Sequence, residues 1–320
     1  MTLNEITRLF LTGIISLIIT LVVGPVFIPL LHRLKFGQEV RGDGPRTHLK
    51  KQGTATMGGV LIILGTSIAA FLFTNDLRET LLLFSIMMGC GLLGFWDDFL
   101  KIVLRRPLGL RARAKILGQL LVGVLLAYGA FLLGRGTFIA VPFLDLKLEA
   151  GFLYYLFVIL VLISAANAVN LTDGLDGLAS GLMVIASIVY VFISLKTGHQ
   201  AAALFAAALA GGCLGFLRFN HYPAKVFMGD TGSLALGGAL AALAVITGTE
   251  LVLLLLGGVF VLEVLSVVIQ VISFQLTGKR VFKMSPLHHH FELSGWPEVR
   301  VVSFFWLLGF CFAILGLLAI

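Results

Sequence analysis

Apolar residues fall in ten stretches along this 320-residue chain, each long enough to cross a membrane or nearly so. They lie near 6–31, 57–74, 80–96, 114–133, 151–168, 177–195, 200–217, 233–248, 250–276 and 301–320. A helix of about 20 apolar residues spans roughly 30 Å of hydrocarbon, so the pattern predicts an all-α polytopic membrane protein with about ten transmembrane helices. The stretch 250–276 is long and carries Glu263 and Gln270 well inside it. A carboxylate at that depth needs a polar partner or water, and the helix is expected to bend or break there. Outside the apolar stretches, Gly134–Ala150 holds two short β-prone runs on either side of Pro142, which predicts a small hairpin.

The polar residues are not scattered. They gather in five patches, His32–Lys51, Asp97–Lys115, Asn167–Asp176, Arg218–Ser233 and Thr277–Arg300, which occupy alternate gaps between the apolar stretches. Alternate gaps emerge on one side of a membrane. The patches hold 18 of the 23 Lys and Arg residues, nine of the 16 acids and six of the seven His. The opposite side keeps only Arg8, Arg78, Arg135, Lys147 and Lys196. Positive charge marks the cytoplasmic side, so the patches are expected to be cytoplasmic and both termini outside.

Composition narrows the class. A soluble domain of this length does not carry 59% hydrophobic and 12% charged residues. The net charge of +7 is explained by membrane orientation and an anionic substrate, and no nucleic-acid-binding motif is present. The first apolar stretch lacks a substantial positive leader and an A-x-A-like cleavage site, so it is expected to be a retained helix. Cys90, Cys213 and Cys311 all fall inside apolar stretches without C-x-x-C spacing, and are expected to be buried thiols outside any disulfide or zinc site.

Four of the patches carry recognisable chemistry. Asp97 and Asp98 end the third stretch. Neighbouring helical residues point about 100° apart, so the two carboxylates are expected to take different roles, one facing a metal or a nucleophile and one supporting it. The cations that follow serve as the inside signal, with Lys101 and Lys115, nearest the spans, as the expected phosphate contacts. In the fifth stretch Asn167 and Asn170 lie three apart on one helical face, and Asp173 and Asp176 repeat the spacing, with Gly174 and Gly177 allowing a tight backbone. A segment with two acids, two amides and no cation is no inside anchor. Next comes Gly229-Asp-Thr-Gly-Ser233, a turn feeding a helix whose N–H groups and dipole suit phosphate. Asp230 there either caps the helix or binds Mg²⁺ through oxygen. Last, Ser285-Pro286 resembles an N-cap and first helical position ahead of His288, His289 and His290. Three successive helical histidines fan around the axis and cannot share one metal, so one or two are expected to touch substrate and the third to pack.

Taken together, Asp97-Asp98, Asn167-x-x-Asn170-x-x-Asp173-Gly-x-Asp176-Gly, Phe227-Met-Gly-Asp230-Thr-Gly-Ser and Pro286-Leu-His-His-His-Phe-Glu292 resemble the polyprenyl-phosphate N-acetylhexosamine-1-phosphate transferases. The histidine segment, with Gly53-Thr-Ala-Thr-Met-Gly-Gly59, is similar to the branch whose donor carries a muramoyl-pentapeptide. Ala55 stands where that pattern more often has Pro.

The resemblance implies a single integral-membrane transferase domain over residues 1–320, set in the cell membrane, with a cytoplasmic-face site, Mg²⁺ and a homodimer. It implies transfer of phospho-N-acetylmuramoyl-pentapeptide from its UDP-linked form to undecaprenyl phosphate, giving lipid I and UMP. On matching positions it makes Asp230 the metal ligand, Asp98 the base or a covalent nucleophile, and Asp97 its support. Asn170, Asp173, Asp176, Asn220 and Phe227 would line the nucleotide pocket, with Phe227 stacking on uracil. Lys51, Gln270 and one of the three histidines would touch substrate. A transferase using UDP-N-acetylglucosamine would lack the triple histidine, and a lipid transporter would spread polar residues through the membrane midplane.

Overall fold

The computed structural model describes residues 3–34, 51–104, 106, 108–144 and 146–320. Most of the patch His32–Lys51 therefore lies outside the described residues, as do Arg105, Pro107 and Asp145. In chain order the helices are α1 (Leu3–Arg33), α2 (Gly59–Phe73), α3 (Leu77–Ile102), α4 (Ala112–Leu132), α5 (Leu153–Thr172), α6 (Leu178–Lys196), α7 (Gln200–Asn220), α8 (Gly229–Thr247), α9 (Glu250–Leu256), α10 (Gly258–Thr277), α11 (Leu287–Leu293) and α12 (Glu298–Leu318). Nine of the described helices are long and apolar enough to cross a membrane, and α2, with 15 residues, is a shorter apolar helix. The protein is an all-α multi-pass membrane protein.

Every apolar stretch read from the sequence becomes a helix, but 250–276 becomes two. The break falls at Gly257, between α9 and α10, and not at Glu263 or Gln270. Both polar residues remain inside unbroken helix because chain from beyond α10 supplies their partners. Glu263 accepts hydrogen bonds from the Leu287 backbone and from His288. Gln270 accepts from the Val281 and Phe282 amides and donates to the Phe282 carbonyl. The break comes instead at Gly257-Gly258, where backbone is held by no side chain of its own.

Between α4 and α5, β1 (Phe138–Val141) pairs antiparallel with β2 (Leu146–Glu149), Phe138 opposite Glu149, which is the expected hairpin. Cys90 and Cys213 are buried as expected, whereas Cys311 is exposed. It shares the outward face of α12 with exposed Leu307 and Ile314, four residues before it and three after.

Helix α8 forms the centre. It is rich in Gly and Ala, and from Thr231 to Thr247 every residue is buried, so neighbouring backbones can approach closely. Helix α3 comes nearest at Gly94, where any Cβ would strike the Asp230 carbonyl. That approach delivers the end of α3, with Asp97 and Asp98, to the start of α8. Against the same end lies the segment before α2. Ala55 forms a parallel bridge with Val226, the Phe227 amide donates to the Ala55 carbonyl, and the Gly58 and Gly59 amides donate to Phe227 and Met228.

Candidate active site

The polar ends of α3, α4, α5 and α8 converge on one cluster of charge. One carboxylate oxygen from each of Asp97, Asp98 and Asp230 lies within 4.8 Å of the others. Asp97 and Asp98 are only 2% and 4% exposed. Three carboxylates so close repel one another unless cations answer them. Lys115 and Lys101 do so, reaching Asp230 Oδ2 at 2.8 and 3.0 Å, and Lys101 also pairs with Asp97. The two adjacent aspartates, expected to take different roles, are not separated in space. Both carboxylates enter the same cluster, because the close approach of α3 to the start of α8 at Gly94 brings Asp230 to the end of α3.

Their bonding still differs. Asp97 Oδ1 accepts the Leu110 amide at 2.7 Å, which fastens the residues just before α4 to the end of α3. Asp98 accepts three donors from the first turn of α8: the Asp230 amide at Oδ1, and the Thr231 amide and hydroxyl at Oδ2. The helix is thus capped from α3. Asp230 does not cap it, since the start of α8 has no side-chain cap of its own. Asp230 is left for Lys101, Lys115 and, at Oδ1, the Asn170 amide at 2.9 Å. Carboxylate oxygens grouped in this way are the donor set of a hard divalent cation. The residues present fit such an ion, held by Asp230 with Asp97 and Asp98 beside it.

The segment after α5 departs from simple helical spacing. Helix α5 ends at Thr172, so Asp173 and Asp176 lie in the following turn and point to different partners. Asp176 accepts from Lys51 Nζ at 2.7 Å and from the Ala224 amide at 2.9 Å. Lys51 also holds Glu298 of α12 at 2.6 Å, and Glu298 accepts the Asp176 amide. Asn167 and Asn170 share a face but not a task. Asn170 bonds Asp230 and Ser233, while Asn167 donates to Gln119 and to its own helix.

Asp173 is the C-cap of α5 and is half-buried. Burial, and after it the charges on Asp230, Asp98 and Asp176, push its carboxyl up to about 8. Between the ordinary value near 4 and that value, the folded protein binds a proton that the unfolded chain does not, so stability falls as pH rises through the window. Asp173→Asn should remove that dependence in metal-free protein. Its Tm should gain on the wild type as pH goes from 5 to 9, and a difference independent of pH would contradict this reading.

Several expected site residues are occupied with holding the backbone. Buried Asn220 accepts from the Gly177 amide and the Ser180 hydroxyl and donates to the Val226 carbonyl. Gln270 fastens residues 281 and 282 to α10. Phe227 is half-buried, with its amide and carbonyl both tied to the segment before α2. Of the histidines, His288 is fully buried, His289 contacts Glu292 at 2.9 Å, and His290 Nδ1 accepts the Lys283 amide. Helix α11 begins at Leu287 with Pro286 as its N-cap, one residue later than the Ser-Pro reading placed it.

Two contributors were missed in the sequence. Glu298 follows Pro297 at the start of α12 and reads there as an ordinary first-turn acid. Thr231 lay inside a quoted motif without a role. Nothing in either case signalled a partner more than 120 residues away.

Residues 80–248 match the family model described as glycosyl transferase family 4. That span contains the aspartate cluster, both lysines and Asn170. The chain belongs to this family. It is 51% identical to a phospho-N-acetylmuramoyl-pentapeptide-transferase of Desulfitobacterium hafniense over 98% of the chain and 97% of that protein. It is 54% identical to the protein of that name in Desulforamulus reducens, covering 98% and 96%. The Halalkalibacterium halodurans protein of that name is 51% identical, with 97% and 96% covered. The family member described here is a transferase, and its cluster of acids and lysines sits where the membrane helices end.

Proposed function

We propose that this transferase moves phospho-N-acetylmuramoyl-pentapeptide from its UDP-linked donor to undecaprenyl phosphate, giving lipid I and UMP. The observation that carries the proposal is the meeting of Asp97, Asp98 and Asp230 with Lys101 and Lys115 at the ends of three membrane helices. A water-soluble pyrophosphate has to meet a phosphate whose lipid cannot leave the bilayer. Such a reaction needs cations and a metal-binding carboxylate set at the membrane surface. The uneven distribution of Lys and Arg supports a cytoplasmic-facing site in the cell membrane; kinship with the family is what supports residues 1–320 as one domain working as a homodimer.

In the reaction, an oxygen of the lipid phosphate attacks the phosphorus that bears the sugar, and the bond from that phosphorus to the bridging oxygen breaks as UMP leaves. Asp230, with Asp97 and Asp98 beside it, would hold Mg²⁺, which would supply charge neutralisation for the pyrophosphate. Asp98 is the proposed base. A carboxylate has about four lone-pair sites, and its Oδ1 carries only one of the three hydrogen bonds from α8. Lys101 and Lys115 exchange Asp230 for substrate phosphate. The Asn170–Asp176 turn, Asn220 and Phe227 form the nucleotide side, the first two by shaping backbone and Phe227 by stacking. Lys51, Gln270 and one of the three histidines support the donor's sugar side.

Donor choice tests the reading. Purified protein with Mg²⁺ and undecaprenyl phosphate should release UMP from the muramoyl-pentapeptide donor, and at least tenfold less from UDP-N-acetylglucosamine. Comparable rates with both would leave the family and remove the branch. Among single alanine replacements of His288, His289 and His290 the losses should be unequal, since the three rings have different surroundings.

A further inference from the structure

Glu263 is an unusual residue to find in the middle of a membrane helix. It is fully buried, yet neither of its oxygens is idle. Oε2 accepts the Leu287 amide at 2.6 Å, and Oε1 lies 3.2 Å from His288 Nδ1. A carboxylate can only accept, so the proton of a neutral His288 ring belongs on Nδ1 and the lone pair on Nε2. Nε2 is itself buried and has no hydrogen-bond partner. It rests against Gly174, where any Cβ would collide with it. Gly174 has no left-handed backbone angle, so closeness to His288 is what requires a glycine there. On one side of Gly174 is Asp173, the residue that follows α5, and on the other the turn that leads to Asp176, which Lys51 holds.

We infer that Glu263 is a positioning residue for the donor site: it fixes the orientation and proton of His288, and His288 sets the Asp173–Asp176 turn that receives the nucleotide. The inference rests on the function proposed above and adds a residue to it. On this account His288 is not itself a surface contact for substrate. It carries the position of α10 to the turn after α5. Glu263→Gln would reverse this arrangement. Its amide keeps one acceptor for Leu287, but the NH₂ group then faces Nδ1 and obliges the ring proton to move to Nε2, against Gly174.

The test is binding of UMP in Mg²⁺ to purified protein by titration calorimetry, together with the KM for each substrate. Glu263→Gln should weaken UMP about tenfold and raise the KM of the nucleotide donor, while the KM of undecaprenyl phosphate stays within twofold. His288→Gln should weaken UMP comparably. In the His288→Gln background, Glu263→Gln should cost less than a further twofold, because the path runs through the ring. An equal loss in both backgrounds would mean that Glu263 only anchors the start of α11 through Leu287, and would overturn the inference. So would UMP affinity within twofold of wild type in His288→Gln, a result available even if Glu263→Gln does not fold. If the wild type binds UMP but transfers no phosphosugar, the proposed reaction fails and the binding comparison still decides the role of Glu263.

Discussion

Asp230→Asn should lower transfer by about two to four orders of magnitude, the scale on which one electrostatic catalytic group is felt. Asn keeps the size and the oxygen that receives Asn170, but it removes the charge on which Lys101 and Lys115 converge. Without it, Lys101 still pairs with Asp97, and a divalent cation loses its central ligand. The fold should persist, because the start of α8 is held by Asp98 and not by Asp230. UMP release at saturating Mg²⁺, measured beside Tm, checks both halves. Activity within threefold of wild type would remove Asp230 from the metal site.

Asp98→Asn should be at least as damaging for a different reason. The wild-type carboxylate receives two amides and a hydroxyl from Asp230 and Thr231. An asparagine offers one acceptor atom and turns an NH₂ group toward donors that now lack a partner. Leaving a buried donor unsatisfied costs roughly 1–3 kcal/mol, and the displaced turn is the one that carries Asp230. Activity should therefore fall by about three orders of magnitude or more, the base being lost and Asp230 misplaced together, and unlike Asp230→Asn this change should also lower Tm. An undiminished Tm together with an undiminished rate would show that the α3-to-α8 connection matters neither to stability nor to chemistry.

The contrast between those two aspartates is where the sequence falls short. The motifs around residues 97, 170, 230 and 288 were legible as chemistry, since acids and amides at membrane helix ends have little other use. Which acid caps and which stays open was not, because capping of α8 comes from a helix 130 residues earlier in the chain. Asn220 and Gln270 show the same limit. A buried amide that fastens backbone and one that greets a ligand look identical in a sequence, and both residues turn out to be fasteners. The helices themselves were legible to within a few residues because hydrocarbon length fixes them. The break at Gly257 was not, since a glycine pair in an apolar run reads equally well as close helix packing, and the polar residues nearby drew the expectation to the wrong place. The hairpin between α4 and α5 was announced by Pro142 and its flanking runs.

The chemistry of the site comes down to whether the lipid phosphate attacks the donor directly. The measurement is to mix purified protein, rigorously freed of lipid phosphate, with Mg²⁺ and the UDP-linked muramoyl-pentapeptide, follow UMP, and then add undecaprenyl phosphate. Direct attack with Asp98 as base predicts no UMP before the lipid is added, and afterwards one UMP for each lipid-linked pyrophosphate formed. A stoichiometric burst of UMP before the lipid, with phosphosugar found on Asp98 by mass spectrometry, would contradict it.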